Sequence, residues 1–216
     1  TIADMLEQNR IMTKEEFLKL ASSKEFLERM GITSGSLEGY LYPDTYFYSR
    51  EIEKERLIER IAQRTLKIFE DPGVREKMAR HTMDIHKTIT LASMIEKESG
   101  VKEERPFVSA VFHNRLKKGM SFDCDPTVIY GTKGFGAPIK KIDLMTYTPY
   151  NTYRFKGYPA GPICSVSKAS ILAALDPAPV DYLYFVSKND GTHVFSRDMA
   201  EHNKYVTMYQ RTRTTH

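Results

Sequence analysis

The sequence predicts an α+β fold dominated by helices, with a small β-sheet or hairpin. Three observations carry this reading. Apolar residues recur at three-to-four spacing through much of the 216-residue chain, the signature of amphipathic helices. Asn189-Asp190-Gly191 sits between two short β-rich runs, a hairpin signal. The longest unbroken apolar runs, Ile171 to Leu175 and Tyr182 to Val186, are far short of a membrane span.

The elements follow in order. Over the first thirty residues, Ile2, Met5 and Leu6, then Phe17, Leu18 and Leu20, then Phe26, Leu27 and Met30 repeat at helical spacing. Thr13 followed by Glu16 is a capping-box pattern, and Gly31 is placed to end the run. Leu37 to Tyr48 is aromatic-rich and contains Pro43, so it reads as strand or extended loop. A charged amphipathic helix is predicted from Arg50 to about Ile68, with Ile52, Leu57, Ile61, Thr65 and Ile68 on one face. Asp71-Pro72-Gly73 stops it.

A second long helix is predicted from Ile85 or Thr88 to Ser99, ending at Gly100, and a third after Arg105-Pro106 to Gly119. Residues 121–163 carry five glycines and five prolines and read as a long functional loop. Ser165 to Leu175 reads as a short helix stopped by Asp176-Pro177. Strands Tyr182 to Ser187 and Thr192 to Ser196 form the hairpin, and a helix from Asp198 to Tyr209 precedes a polar tail.

Composition excludes several functions. Hydrophobic residues make up 41% and charged residues 28%, which favours a packed core over disorder. Lys plus Arg number 32 against 28 Asp plus Glu, but the basic residues are interleaved with acids rather than gathered into the patch a nucleic-acid binder needs. Cys124 and Cys164 lack zinc-site spacing and read as free thiols or one disulfide. His81 and His86 are five apart rather than four, so no metal site and no cofactor is expected. The first residue is Thr rather than Met, so the chain reads as a fragment with its natural start upstream.

The most informative stretch is Thr90 to Ser99, which contains Glu96 and Glu98. Carboxylates two apart on a helix point about 200° apart and cannot serve one site. With Leu91 as reference, Met94 and Ile95 lie within about 60° of it and define the buried face. Glu98 falls at the centre of that face, while Glu96 points away and reads as a surface residue. Desolvation on an apolar face raises a carboxyl's pKa, which a general acid requires. The pattern leaves a second reading for Glu98: a helix-end carboxylate that reaches solvent or pairs with an arginine such as Arg115.

Asp123, Asp125, Pro126 and Thr127 form a second polar group, which reads first as a turn and helix N-cap. Tyr150-Asn151-Thr152-Tyr153, followed by Gly157, Pro159, Gly161 and Pro162, offers amide, hydroxyl and aromatic groups suited to sugar, or a tightly wound structural loop. Ser165-Val166-Ser167-Lys168 matches the SxxK element of serine penicillin-recognising enzymes, and Ser187-Lys188-Asn189 matches their SxN element. The K-T-G element is missing, and Ser165 or Ser167 as a helix N-cap explains the first match.

Eight collinear blocks then resemble the YceG-like family of endolytic murein transglycosylases, also called MltG. They are Leu37 to Tyr46, Leu91 to Ser99, Val108 to Gly119, Asp125 to Gly131, Tyr150 to Tyr153, Gly157 to Ile163, Ala173 to Pro177 with Tyr182 to Val186, and His193 to Asn203. The resemblance implies a lytic-transglycosylase-like catalytic domain over residues 37–210. Residues 1–36 would be the remainder of an N-terminal LysM-like or linking region, and residues 211–216 a polar tail. It implies cleavage of the MurNAc-β-1,4-GlcNAc bond within peptidoglycan strands, leaving 1,6-anhydroMurNAc ends.

One Glu suffices for such chemistry, because the sugar's own C6 hydroxyl attacks, whereas hydrolytic glycosidases generally need two carboxylates. The resemblance assigns Glu98, followed by Ser99, as acid/base, with Glu96 as the alternative. Glu38, Asp125, Thr127, Tyr150, Asn151 and Tyr153 would hold the glycan or orient the acid. It implies peptidoglycan glycan strands as partner, with peptidoglycan synthases as companions, and an extracytoplasmic location through an N-terminal membrane anchor absent from this chain. A non-catalytic peptidoglycan-binding scaffold is the alternative reading.

Overall fold

The computed structural model describes residues 1–49 and 51–211. The tail at 212–216 and Arg50, the expected start of the fourth helix, lie outside the described residues. Among the described residues are eleven α-helices, a short 3-10 helix at Lys102–Glu104 and one two-stranded antiparallel sheet, in accord with the helix-dominated α+β expectation.

The first thirty residues form three short helices: α1 (Ile2–Gln8), α2 (Lys14–Ala21) and α3 (Lys24–Arg29). Thr13 and Glu16 make the expected capping box, Glu16 N–H donating to Thr13 Oγ1 at 3.1 Å and Thr13 N–H to Glu16 Oε2 at 2.7 Å. Gly31 follows α3 with φ +69°, and the Ile32 N–H donates to Leu27 O at 2.9 Å, closing the helix end. Leu6, Phe17, Phe26 and Leu27 join the same apolar core as the rest of the chain.

The segment after them is an extended loop rather than a strand. Its Leu37, Tyr40 and Leu41 are buried, while Phe47 is 89% exposed. Helix α4 (Lys54–Ile68) buries Leu57, Ile58, Ala62 and Thr65, a stripe turned slightly from the expected one. Asp71-Pro72-Gly73 does more than stop it. Asp71 Oδ1 accepts from the amides of Gly73 (2.8 Å) and Val74 (3.2 Å), and Pro72 occupies the first turn of α5 (Pro72–Arg80). The residues that break one helix nucleate the next, since proline needs no N–H in a first turn.

Helix α6 (Ile85–Glu98) is the central element. Asp84 caps its start, and every residue from Thr88 to Ile95 is buried. It packs most extensively on α10 (Lys168–Leu175), and both contact α7 (Arg105–Lys117). Burial of Ile89, Leu91, Met94 and Ile95, all 0% exposed, contributes roughly 1.5–3 kcal/mol each. A helix buried all round has polar residues that must be satisfied inside. Thr90 Oγ1 donates to His86 O at 2.8 Å, and Ser93 Oγ donates to Thr90 O at 2.7 Å while accepting the Ile163 N–H at 3.0 Å.

The glycine- and proline-rich stretch contains two helices, α8 (Asp125–Thr132) and α9 (Lys141–Met145), where a long loop was expected. Asp125-Pro126 is a first helical turn, and position 131 within α8 is glycine where a Cβ would collide with Thr148 Oγ1. Strands β1 (Tyr184–Ser187) and β2 (His193–Ser196) pair in the expected hairpin, Phe185 opposite Phe195. Asn189 and Gly191, with φ of +64° and +89°, make its turn. Helix α11 (Met199–Val206) and a π-helical turn, Thr207–Arg211, complete the fold. Among the described residues no helix is long and apolar enough to cross a membrane.

Candidate active site

Glu98 is the last residue of α6, and Ser99 leaves the helix in extended backbone. It faces the start of α8, beside Cys124 and Asp125, with Arg115 of α7 near enough to act through its charge. Its carboxyl is pushed up to about 7, chiefly by burial. A hydrogen bond with the Cys124 thiol opposes that rise, the Asp125 charge adds to it, and the Arg115 charge opposes it.

Arg115 is not Glu98's ion-pair partner. The side chain is buried, and it donates to Leu183 O at 2.7 Å, to Phe122 O at 2.7 Å and to Asp123 Oδ2 at 3.0 Å. It therefore ties α7 to the hairpin and to the loop that delivers Cys124. Asp123, with φ +49°, also accepts from Ser121 Oγ at 2.6 Å.

The start of α8 is held from behind by a network of hydroxyls. The Cys124 N–H donates to Thr152 Oγ1 at 3.1 Å, Thr127 Oγ1 donates to Cys124 O at 2.7 Å, and the two threonine hydroxyls lie 2.9 Å apart. Asn151 is fully buried. Its Nδ2 donates to the carbonyls of Asp143, Leu144 and Thr146 at 3.1, 3.1 and 2.7 Å, capping α9, while its Oδ1 accepts the Tyr153 N–H at 3.0 Å. Tyr153 in turn donates its hydroxyl to Asp125 Oδ1 at 2.7 Å. Of the predicted residues, then, Asp125 and Tyr153 gather beside Glu98, whereas Thr127 and Asn151 face inward and act on protein groups.

Glu96 has a different environment. Although burial by itself would raise its carboxyl, hydrogen bonds from Ser167, together with the Arg105 charge, hold it below the usual range. Ser167 Oγ and N–H donate to Glu96 Oε2 at 2.7 and 3.0 Å, and Arg105 donates to Oε1 at 3.0 Å. The expected surface position is thus corrected: its side chain is 22% exposed, since α6 is covered on the side facing away from Leu91 as well. Ser167 is the N-cap of α10, accepting the Ser170 N–H at 3.3 Å; the serine of the SxxK match, Ser165, lies outside the helix two residues earlier.

Glu38 and Tyr150 meet elsewhere on α8. The Tyr130 hydroxyl is hydrogen-bonded to Glu38 and to Tyr150, and the two tyrosine rings are 4.7 Å apart. Desolvation raises the Glu38 carboxyl, with the Tyr130 hydrogen bond opposing it. Sequence reasoning left Cys124 and Cys164 without a role. Both are free thiols, Cys124 against Glu98 and Cys164 donating to Ser93 O at 3.5 Å. It also missed Tyr130, Arg105 and Ser167. For Tyr130 a signal was available, its place in the block Asp125 to Gly131. No group of three or more His, Cys, Asp or Glu side chains among the described residues is arranged to hold a metal ion.

The profile of the YceG-like family matches residues 1–208. The endolytic murein transglycosylase of Bacillus subtilis is 38% identical over 174 residues, covering 80% of this chain and 48% of the relative. That of Streptococcus pneumoniae R6 is 28% identical over 179 residues, covering 79% and 32%. The chain therefore spans about half the length of the first relative and a third of the second. A crystal structure of a YceG-like protein from Listeria monocytogenes superposes with a TM-score of 0.83 at 34% identity, covering 94% of this chain and 71% of that one.

Proposed function

The chain belongs to the YceG-like family, and from that premise we propose that it cleaves MurNAc-β-1,4-GlcNAc bonds inside peptidoglycan strands by an intramolecular, lytic route with Glu98 as the only acid/base. The observation that carries the assignment is the divergence of two carboxyls two residues apart. Glu98 is raised to about 7 and Glu96 is held low, and groups whose environments push their pKa values apart mark the acid.

The protonated Glu98 donates to the glycosidic oxygen as the bond to C1 breaks, releasing GlcNAc with its hydroxyl restored. The muramyl C6 hydroxyl then bonds to C1 and gives its proton to the Glu98 carboxylate. The acid is regenerated, the 1,6-anhydro ring is closed, and no water is consumed. Asp125, fixed by Tyr153, supplies a negative charge that keeps Glu98 protonated and favours the cationic sugar ring. Asn151, Thr127 and Thr152 position that pair through α9 and the turn into α8. Tyr150 and Tyr130, packed ring against ring at the other end of α8, offer aromatic faces to neighbouring sugars. This reading puts the chain at work on the extracytoplasmic side, where glycan strands and their synthases lie.

Digestion of purified peptidoglycan, read by mass spectrometry, tests the proposal. Products lighter by one water than hydrolytic muropeptides, lost in Glu98→Gln, are expected. Ordinary reducing ends would make the chain a hydrolase with Asp125 as second carboxylate. Glycan binding without cleavage would make it a scaffold.

A further inference from the structure

A pocket lies at the last turn of α8, five residues along the helix from the Asp125 end that faces Glu98. It is a hollow of about 400 Å³ between α2 and the last turn of α8, walled by Phe17, Leu18, Leu41 and Phe135, with Glu38 and Tyr130 among its polar groups, beside Thr1, Ser36 and Ser165. The Glu38 carboxylate accepts from Tyr130, and no cation is ion-paired with it among the described residues. Lys14, which also borders the hollow, is committed to Asp4 at 2.7 Å. Lys97 stands over the Phe135 ring, 4.0 Å from its centroid, where it carries a positive charge at the rim. An apolar trough with an unpaired carboxylate is complementary to a primary ammonium on an aliphatic stem. The methylenes lie against the phenylalanine and leucine walls while the ammonium meets Glu38 and the tyrosine oxygen.

We propose that this hollow takes the side-chain amine of the diamino acid in a peptidoglycan stem peptide, which makes it a peptide subsite alongside the glycan groove. The proposal rests on the reaction assigned above, because it needs a muramyl residue at Glu98. Asp125 and Tyr130 are five residues apart on α8, about 7.5 Å along its axis. The stem leaves the same sugar whose C1 reacts, and three extended residues reach about 10 Å. The reach of three residues exceeds that axial offset, which is the span the proposal requires of the stem's third residue between the Glu98 site and Glu38. The second residue of the stem carries a free carboxylate, which suits the Lys97 cation on the way.

The test is binding, read without cleavage. The probes are the tripeptide L-Ala-γ-D-Glu-L-Lys and its Nε-acetyl counterpart, titrated by calorimetry and by amide chemical shifts. The free amine is expected to bind about fivefold more tightly, the effect of one partly exposed ion pair. Glu38→Gln is expected to abolish that preference, whereas Tyr130→Phe, which leaves the carboxylate in place, is expected to retain it. Equal affinities in the unaltered chain, a preference that survives Glu38→Gln, or no saturable binding of either peptide would each overturn the proposal. Should Glu38→Gln fail to fold, the shift map decides: perturbations must centre on Glu38, Tyr130 and Phe135, and a map centred elsewhere refutes the site. Amine-selective binding without anhydro products would sink the reaction and leave the ligand standing; anhydro products without amine preference would do the reverse.

Discussion

Replacing Glu98 with Gln should stabilise the protein at neutral pH while abolishing cleavage. Moving a carboxyl from its ordinary 4.5 to about 7 in the folded chain means that folding disfavours its charged form. At about 1.4 kcal/mol per pH unit, the penalty at pH 8 is about 3 kcal/mol. The sign follows from linkage. Below pH 4.5 the carboxyl is protonated in both states and costs nothing. As pH rises from 4.5 to 7 the unfolded chain loses its proton first, and wild-type stability falls. Above 7 the loss is complete. Glutamine cannot ionise, so Glu98→Gln should match the wild type near pH 4 and exceed it by up to about 3 kcal/mol at pH 8, or about 6–12 °C in Tm for a chain of this size. Urea melts of both proteins at a series of pH values read the difference directly, because the other titrating groups cancel. A difference that stays flat between pH 4 and 8 would show that Glu98 is not desolvated in the folded protein, and the acid assignment would lose its physical basis.

Glu96→Gln should behave in the opposite way: it leaves Arg105 (9% side-chain exposure) without its carboxylate and should cost about 3 kcal/mol at pH 7, shrinking as pH falls and the wild-type Glu96 itself protonates, as the same melts will show. Cys124→Ala removes the thiol hydrogen bond that holds the Glu98 carboxyl down, so the alkaline limb of the cleavage rate should move to higher pH; an unmoved limb would mean that the thiol is not coupled to the acid. Gly39→Ala should cost roughly 1–3 kcal/mol, since the residue sits at φ +83° and a Cβ would lie 2.5 Å from Pro162 Cβ and 2.7 Å from Ile89 Cγ2; a thermal melt unchanged from wild type would contradict that crowding.

Much of the fold was legible because its signals are local. The capping box at Thr13 and Glu16, the helix end at Gly31, the buried stripe of α6 and the hairpin at Asn189 to Gly191 each depend on residues a few positions apart. Helices α5 and α9 were not read, and α8 only as a helix start at Asp125-Pro126. Asp-Pro signals a helix start as readily as a stop, and Gly131 lowers helix propensity for a reason that lies in Thr148 and Tyr150, almost twenty residues away.

The candidate site divides along the same line. By itself the sequence determined which carboxylate lies on the Leu91 face of α6, since helical geometry alone puts Glu98 there and Glu96 opposite. Only the tertiary structure decided what each carboxyl does. Arg105 and Ser167 reach Glu96 from α7 and the start of α10, while Cys124 and Asp125 close on Glu98 from the start of α8. Side-chain direction follows from local backbone geometry, but desolvation and hydrogen bonding depend on groups that folding brings in from distant parts of the chain.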